Sequence, residues 1–225
     1  MKSLLRRFLS ISLATAAVLA CAASSQAQIN VTVDPSQTWI GYMNVFALPA
    51  DGGGYMFGSP WGTADLQAAF SGPTLTLSPN INCYNATDPY WSKPDGSPNK
   101  NMDASMYVQN DALAGNTIVF SGLTVANTLV SPYTTVAFIK DFVANYSSST
   151  GVTIPLVGGS PFSISLATLA GDHIQYGFET IGPDANPATV AALGNAQVIA
   201  VPEPSTVTLI GLGLAGLLTI CNRRK

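Results

Sequence analysis

The chain has 225 residues, of which 47% are hydrophobic and 9% are charged, and its formal net charge is −3. That value conceals an acidic middle, because residues 28–200 contain eleven acidic side chains and only three basic ones, a net charge of −8. Nucleic-acid binding requires a basic surface. The composition therefore excludes nucleic acid as a partner.

The N-terminus has the pattern of a secretory signal. Three basic residues lie ahead of an apolar segment at residues 8–20, and Ser25-Gln26-Ala27 fits the small-x-small cleavage rule. We therefore predict a helical signal peptide at residues 1–27. A lipoprotein signal ending at Cys21 is the alternative, although Leu19 is bulky for that motif.

The remaining body, residues 28–200, has the length of one domain and is rich in short β-branched and aromatic runs separated by Gly, Pro and Asn. We predict about ten strands in an antiparallel, jelly-roll-like β-sandwich. In the predicted strand 38–48, Gly41, Met43 and Val45 share one face while Tyr42 and Asn44 share the other. Strands are expected at 29–33, 38–48, 74–77, 104–109, 117–120, 123–129, 134–143, 153–157, 162–166, 173–181 and 197–201.

Three stretches interrupt this strand pattern. Residues 63–70 could form one or two helical turns, and residues 187–193, after Asn186 as N-cap, predict a short helix. Ser121-Gly122 indicates a turn between two strands. Residues 78–101 hold four prolines and several asparagines, which predicts a long irregular loop of the kind that often carries function.

Aromatic residues near this loop provide the best binding candidates. Tyr84, Tyr90 and Trp91 lie in the loop, and Trp61 precedes it. Exposed Trp and Tyr rings offer flat apolar faces to sugar rings, so these four residues are the candidates for an alternative function as a carbohydrate-binding module, with Trp91 the first to test. The alternative is that the tryptophans fill the core.

Metal binding and catalysis have weaker support. Hard oxygen ligands at Asp95, Asn99, Asn101 and Asp103 could bind calcium, although a solvated turn has the same composition. The body holds one histidine and, at Cys83, one cysteine, so we expect no transition-metal site, no disulfide and no cofactor.

Residues that could carry a reaction are equally few. Glycoside hydrolysis needs two carboxyl groups, and Glu179 is the only Glu in the body, with no partner that the sequence selects. His173 follows Asp172 without a nucleophile motif. We therefore expect no enzyme, with a hydrolase using Glu179 as an alternative.

The C-terminal tail, residues 201–225, has three parts in a fixed order. Pro202, Glu203 and Pro204 come first, an apolar run at 207–221 follows, and Arg223, Arg224 and Lys225 end the chain. Fifteen helical residues span about 22 Å, so we predict a single transmembrane helix over 206–222 that uses flanking side chains to cross a hydrocarbon core of about 30 Å. The basic end predicts a cytoplasmic C-terminus.

This tail resembles the PEP-CTERM sorting domain of Gram-negative, biofilm-forming bacteria, which is also known as an ice-binding-protein C-terminal domain. The resemblance implies that a membrane-embedded exosortase recognises Pro202, Glu203 and Pro204, that residues 206–222 anchor the chain in the inner membrane, and that Arg223, Arg224 and Lys225 stop transfer. Regular Thr-x-Thr arrays are not evident beyond residues 74–76, so we expect no ice binding.

The body is similar in pattern to jelly-roll carbohydrate-binding modules at residues 113–122 and 133–142. We therefore expect an exported protein of the envelope or extracellular matrix with a structural or polysaccharide-associated role.

Overall fold

The computed structural model describes residues 26–201, which form an all-β protein with three short 3₁₀ segments at Pro49–Asp51, Asp111–Leu113 and Val190–Leu193. The twelve strands are β1 Gln28–Thr32, β2 Ile40–Ala47, β3 Tyr55–Trp61, β4 Ala68–Ser71, β5 Thr74–Leu77, β6 Lys100–Gln109, β7 Thr117–Asn127, β8 Thr134–Phe142, β9 Ser149–Pro155, β10 Ser160–Ala167, β11 His173–Pro183 and β12 Ala196–Ile199. The predicted fold class, all-β, is confirmed.

The strands form two six-stranded sheets. The first has the order β10-β7-β12-β5-β4, with β1 also on β7, and the second has the order β3-β2-β6-β11-β8-β9. Neighbouring strands are antiparallel except β1 and β7, which are parallel, so the expectation of a wholly antiparallel sheet was wrong at this one pair.

Strands β1 and β12 lie end to end along one edge of β7. Strand β1 pairs with residues 117–121 of β7, and β12 pairs with residues 123–127. Strand β10 occupies the opposite edge over residues 117–124. The first and the last strand of the described residues therefore pair with the same edge of β7.

The inner faces of the two sheets enclose a single core. Phe120 of the first sheet contacts Phe178 of the second, with ring centroids 5.4 Å apart, and both are fully buried. The predicted alternation in β2 is confirmed, because Gly41, Met43 and Val45 are buried while Tyr42 and Asn44 are partly exposed. Each fully buried Phe contributes roughly 1.5–3 kcal/mol through removal of apolar surface from water.

The turn predicted at Ser121-Gly122 is absent, since both residues lie inside β7. Gly122 is needed for packing here: a Cβ on it would lie 2.6 Å from ring carbons of Phe162. The glycine therefore allows close approach of an aromatic ring instead of reversing the chain.

Both helix predictions were wrong in detail. Residues 63–67 make one turn that ends at Gln67, whose φ is 61°, and the chain then enters β4. Residues 190–193 form 3₁₀ structure, in which the N–H of Ala192 donates to the carbonyl of Thr189, and the carbonyl of Leu193 accepts a hydrogen bond from the backbone N–H of Val130 just before β12. Tertiary pairing overrides local propensity in both places.

Candidate functional site

A groove crosses the outer face of the second sheet, the face turned away from the core. It has a volume of about 560 Å³ and is lined by residues of β2, β3, β6, β8, β11 and the turn after β8. Strand alternation brings these residues to one surface. Its aromatic members are Tyr42, Tyr107, Phe138, Phe142 and Tyr146, and its polar members are Asn44, Ser105, Gln109, Lys140 and Gln175.

The floor of the groove depends on a glycine. Gly177 lies between Tyr107 of β6 and Phe138 of β8 in the strand register. A Cβ at Gly177 would lie 2.8 Å from the Cβ of Tyr107, so only glycine lets this ring lie over β11. The rings of Tyr107 and Phe138 approach to 6.4 Å between centroids and are buried, so they form the apolar base beneath the groove.

Beside this floor lies a charged cluster. Lys140 forms an ion pair with Glu179, and its Nζ lies 4.6 Å from the centroid of the Phe138 ring. The hydroxyl of Ser105 donates a hydrogen bond of 3.4 Å to the same oxygen of Glu179. Glu179 is only 7% exposed, so the ion pair compensates a carboxylate that is largely removed from water.

Asp103 extends the cluster along β6. It lies diagonal to Glu179, because Asp103 faces Ile181 in the register and Ser105 faces Glu179. Burial, reinforced by the negative charge of Glu179, raises the pKa of the Asp103 carboxyl to about 7. Asp103 also lines a smaller cavity of about 260 Å³ together with Phe46. The charged cluster therefore contacts the groove through Ser105 and Lys140 and the smaller cavity through Asp103.

At the other end of the groove, His173 positions Tyr146. The imidazole Nδ1 lies 2.8 Å from an oxygen of Asp111, and Nε2 lies 3.1 Å from the carbonyl of Ala144. The hydrogen bond with Asp111 is the first cause that raises the pKa of His173. The ring of Tyr146 stacks on the imidazole at 4.3 Å, and Tyr146 has φ of 57° in the turn after β8.

The aromatic residues predicted to bind a glycan separate into different environments. Tyr90 and Trp91 are in edge contact with centroids 4.9 Å apart, and Phe57 contacts Trp91 at 6.3 Å. Trp61 and Trp91 both pack partly against the core, in line with the alternative stated for the tryptophans, and Trp61 donates to the hydroxyl of Ser59 at 3.0 Å. None of the four lines the groove on the second sheet.

Tyr84 has an internal role in the long loop. Its hydroxyl donates to the carbonyl of Gly96 at 2.9 Å and accepts from the side chain of Asn186 at 3.0 Å. The hydroxyl therefore ties the loop to the segment after β11. The structure brings Tyr90 and Trp91 together and leaves Tyr84 and Trp61 in other contacts.

The residues predicted to bind calcium divide between the loop and β6. A side-chain oxygen of Asp95 accepts hydrogen bonds from the backbone and hydroxyl of Ser97, and Asn99 donates to the carbonyl of Pro89. Asn101 and Asp103 line the smaller cavity. Within residues 26–201, no cluster of three His, Cys, Asp or Glu side chains could hold a metal ion. The calcium site stays a prediction.

Two further groups are buried away from the groove. Burial raises the pKa of the Cys83 thiol to about 12, which disfavours the reactive thiolate. Asp184 is fully buried, and burial raises its pKa to about 7, against a smaller lowering by the backbone N–H of Cys83. The sequence did not indicate this second group, because burial at the end of β11 depends on packing by the distant loop.

Comparison with known proteins identifies the end of the chain. Residues 200–225 match the family model of the PEP-CTERM protein-sorting motif. This motif is a substrate signal for exosortase, a membrane protease, and it marks a protein for export and sorting to the cell surface in Gram-negative bacteria. Neither a curated protein nor a solved structure matches the chain.

Several predicted segments lie outside the described residues. They are the signal peptide at 1–27 apart from its last two residues, the anchor at 206–222, the sorting residues Pro202, Glu203 and Pro204, and the stop-transfer residues Arg223, Arg224 and Lys225. Within residues 26–201, no helix is long and apolar enough to cross a membrane.

Proposed function

We propose that this exosortase-sorted protein binds polysaccharide at the bacterial surface through the groove on its second sheet. The observation that carries the proposal is the combination of the exposed ring of Tyr146 and the partly exposed rings of Tyr42 and Phe142 with a rim of amides and hydroxyls. The C–H face of a sugar ring packs on aromatic rings, and its hydroxyls exchange hydrogen bonds with amides. The volume of about 560 Å³ lies in the usual range for small-ligand sites.

The strand order supports a jelly roll as the scaffold. If the eight strands β5–β12 are renumbered from one, the sheets contain the orders 1-8-3-6 and 2-7-4-5. These are the orders of a jelly roll, in which successive strands alternate between two sheets except for the fourth and fifth, which pair with each other. Strands β1 to β4 extend this core at its edges, and β2 adds Tyr42 and Asn44 to the groove.

Exchange of Tyr146 for asparagine tests this site. Asparagine tolerates positive φ, so Tyr146→Asn removes the ring without adding backbone strain. We expect the affinity of the full-length protein for a hexose oligomer, measured by calorimetry in detergent, to fall about tenfold, which corresponds to about 1.4 kcal/mol.

The matched control is Tyr90→Ala in the other aromatic cluster, which should leave the affinity unchanged. Tyr90 is exposed and lies outside the groove, so this variant tests the site predicted from sequence. A loss of binding in Tyr90→Ala or Trp91→Ala, with Tyr146→Asn unaffected, would move the site to the loop and contradict the proposal.

Glycoside hydrolysis is the second candidate, and the diagonal pair of Asp103 and Glu179 favours it. Enzymes of this class use one protonated carboxyl group as acid and one ionised carboxylate as base or nucleophile. Asp103 would donate its proton to the leaving sugar oxygen while Glu179 accepts a proton from the water that attacks the anomeric carbon, so one glycosidic bond and one water molecule become two hydroxyl groups. Release of reducing ends that Glu179→Gln abolishes would support it, and no turnover on any oligomer that binds would reject it.

A further inference from the structure

We infer that the groove binds uncharged polysaccharide and excludes acidic polysaccharide. The inference rests on the proposed function and specifies its ligand. Its basis is that the one cation lining the groove, Lys140, is already committed to Glu179.

The other cations of the described chain are also engaged. Lys93 forms an ion pair with Asp51 at 3.8 Å, and His173 lies 2.8 Å from Asp111. Lys100 is buried, donates to the carbonyl of Asn99 and lies 4.3 Å from the centroid of the Tyr90 ring. Residues 26–201 contain no arginine. No described cation is available to receive a uronate or sulfate group without giving up a present partner.

Recruiting Lys140 for an acidic ligand would be costly. A sugar carboxylate would compete with Glu179 for the ammonium group, and Glu179 would then remain as a buried, unpaired charge. Breaking one partner of such a pair is strongly unfavourable because the remaining charge is desolvated. The charge of −8 over residues 28–200 adds a repulsion of the same sign.

The polar rim suits neutral hydroxyl groups instead. The amide of Gln175 donates to Gln109 at 3.0 Å, and Gln109 donates to the hydroxyl of Tyr146 at 2.8 Å. These two hydrogen bonds fix the orientations of both amides. Because the hydroxyl oxygen of Tyr146 is the acceptor, its own proton can be donated to a ligand. Amides and hydroxyls provide donors and acceptors together, which is the pattern that sugar hydroxyls require.

A matched pair of ligands tests the inference. We would measure binding of the full-length protein in detergent to a hexose oligomer and to the same oligomer oxidised at C6 to the uronic acid. We expect the neutral oligomer to bind at least about tenfold more tightly, a difference of about 1.4 kcal/mol.

Glu179→Gln then separates the local charge of the groove from the overall charge of the body. It frees Lys140, so the preference for the neutral oligomer should fall severalfold, and the double variant Glu179→Gln, Lys140→Gln should restore it. A preference that is unchanged in Glu179→Gln would contradict the role of the ion pair. Thermal melts of the variants establish that they are folded.

The wild-type protein alone decides the main point, even if Glu179→Gln fails to fold. Equal affinity for the two oligomers, or tighter binding of the uronate, overturns the charge inference and leaves polysaccharide binding standing. Failure to bind either oligomer rejects the proposed function, and the inference falls with it.

Discussion

Gly177→Ala should destabilise the protein, although alanine is normally the better residue in a strand. The new Cβ would lie 2.2 Å from the backbone oxygen of Met106 and 2.6 Å from the Cα of Tyr107. These neighbours are backbone atoms of the adjacent strand and cannot rotate away, so β6 and β11 must separate. Overpacking of this kind costs about 1–3 kcal/mol.

Thermal unfolding of the full-length protein in detergent measures this cost. For a domain of this size, each kcal/mol lowers Tm by roughly 2–4 °C. The matched control is Gly54→Ala, where a Cβ meets no atom within 4 Å and φ is not positive. Since alanine at a compatible site stabilises by about 0.4–1 kcal/mol, Gly54→Ala should raise Tm slightly.

Binding provides the second measurement, because Gly177 supports Tyr107 in the groove floor. Gly177→Ala should weaken binding of the hexose oligomer, whereas Gly54→Ala should not. Equal Tm values for the two variants would refute the close approach of Tyr107 to β11, and with it the description of the floor.

Three other outcomes follow from the described contacts and the tail. The raised pKa of Asp184, about 7, means that the folded state holds this proton more tightly than the unfolded chain does. The free energy of unfolding should therefore fall as pH rises from about 4 to about 7, by about 1.4 kcal/mol for each unit of pKa shift. Asp184→Asn should flatten that fall in urea unfolding curves measured across the range, and an unchanged slope would contradict it. Because the pKa of His173 is raised, the stabilisation from its interactions is complete below the unfolded pKa and is lost as pH rises through the folded value. The protection factor of the Tyr146 amide, which corrects for the base-catalysed rise of the intrinsic exchange rate, should fall over that interval in the wild type and stay level in His173→Gln. Glu203→Ala in the matched sorting motif should leave the precursor uncleaved in cells that contain an exosortase, as mass measurement of the product would show, and normal processing would contradict its role.

The sequence was sufficient for features that depend on neighbouring residues. The alternation in β2 correctly separated Met43 and Val45 from Tyr42 and Asn44, because strand geometry alone fixes that division. The tail was identified from its three-part order, and the family match confirms it. The long loop at residues 78–99 is irregular, apart from the bridge between Ser92 and Pro98.

The groove depends on pairing between distant strands, and the sequence did not locate it. Tyr107 and Phe138 are 31 positions apart, and they meet only because β11 lies between their strands with Gly177 at the crossing point. The sequence indicated Glu179 as a possible catalytic carboxylate but did not select the second carboxyl group, because the body contains ten Asp residues. The register of β6 with β11 places Asp103 diagonal to Glu179, opposite Ile181.

The position of β12 has a mechanical consequence for a protein held at its C-terminus. Tension on the tail enters the body at Ile199, and β12 is hydrogen-bonded on both sides, to β7 and to β5. A pull along this interior strand loads both ladders in shear, so several hydrogen bonds must break together, whereas an edge strand could unzip one bond at a time. Such an attachment point would resist unfolding if the sorted protein is held at the cell surface by its C-terminus.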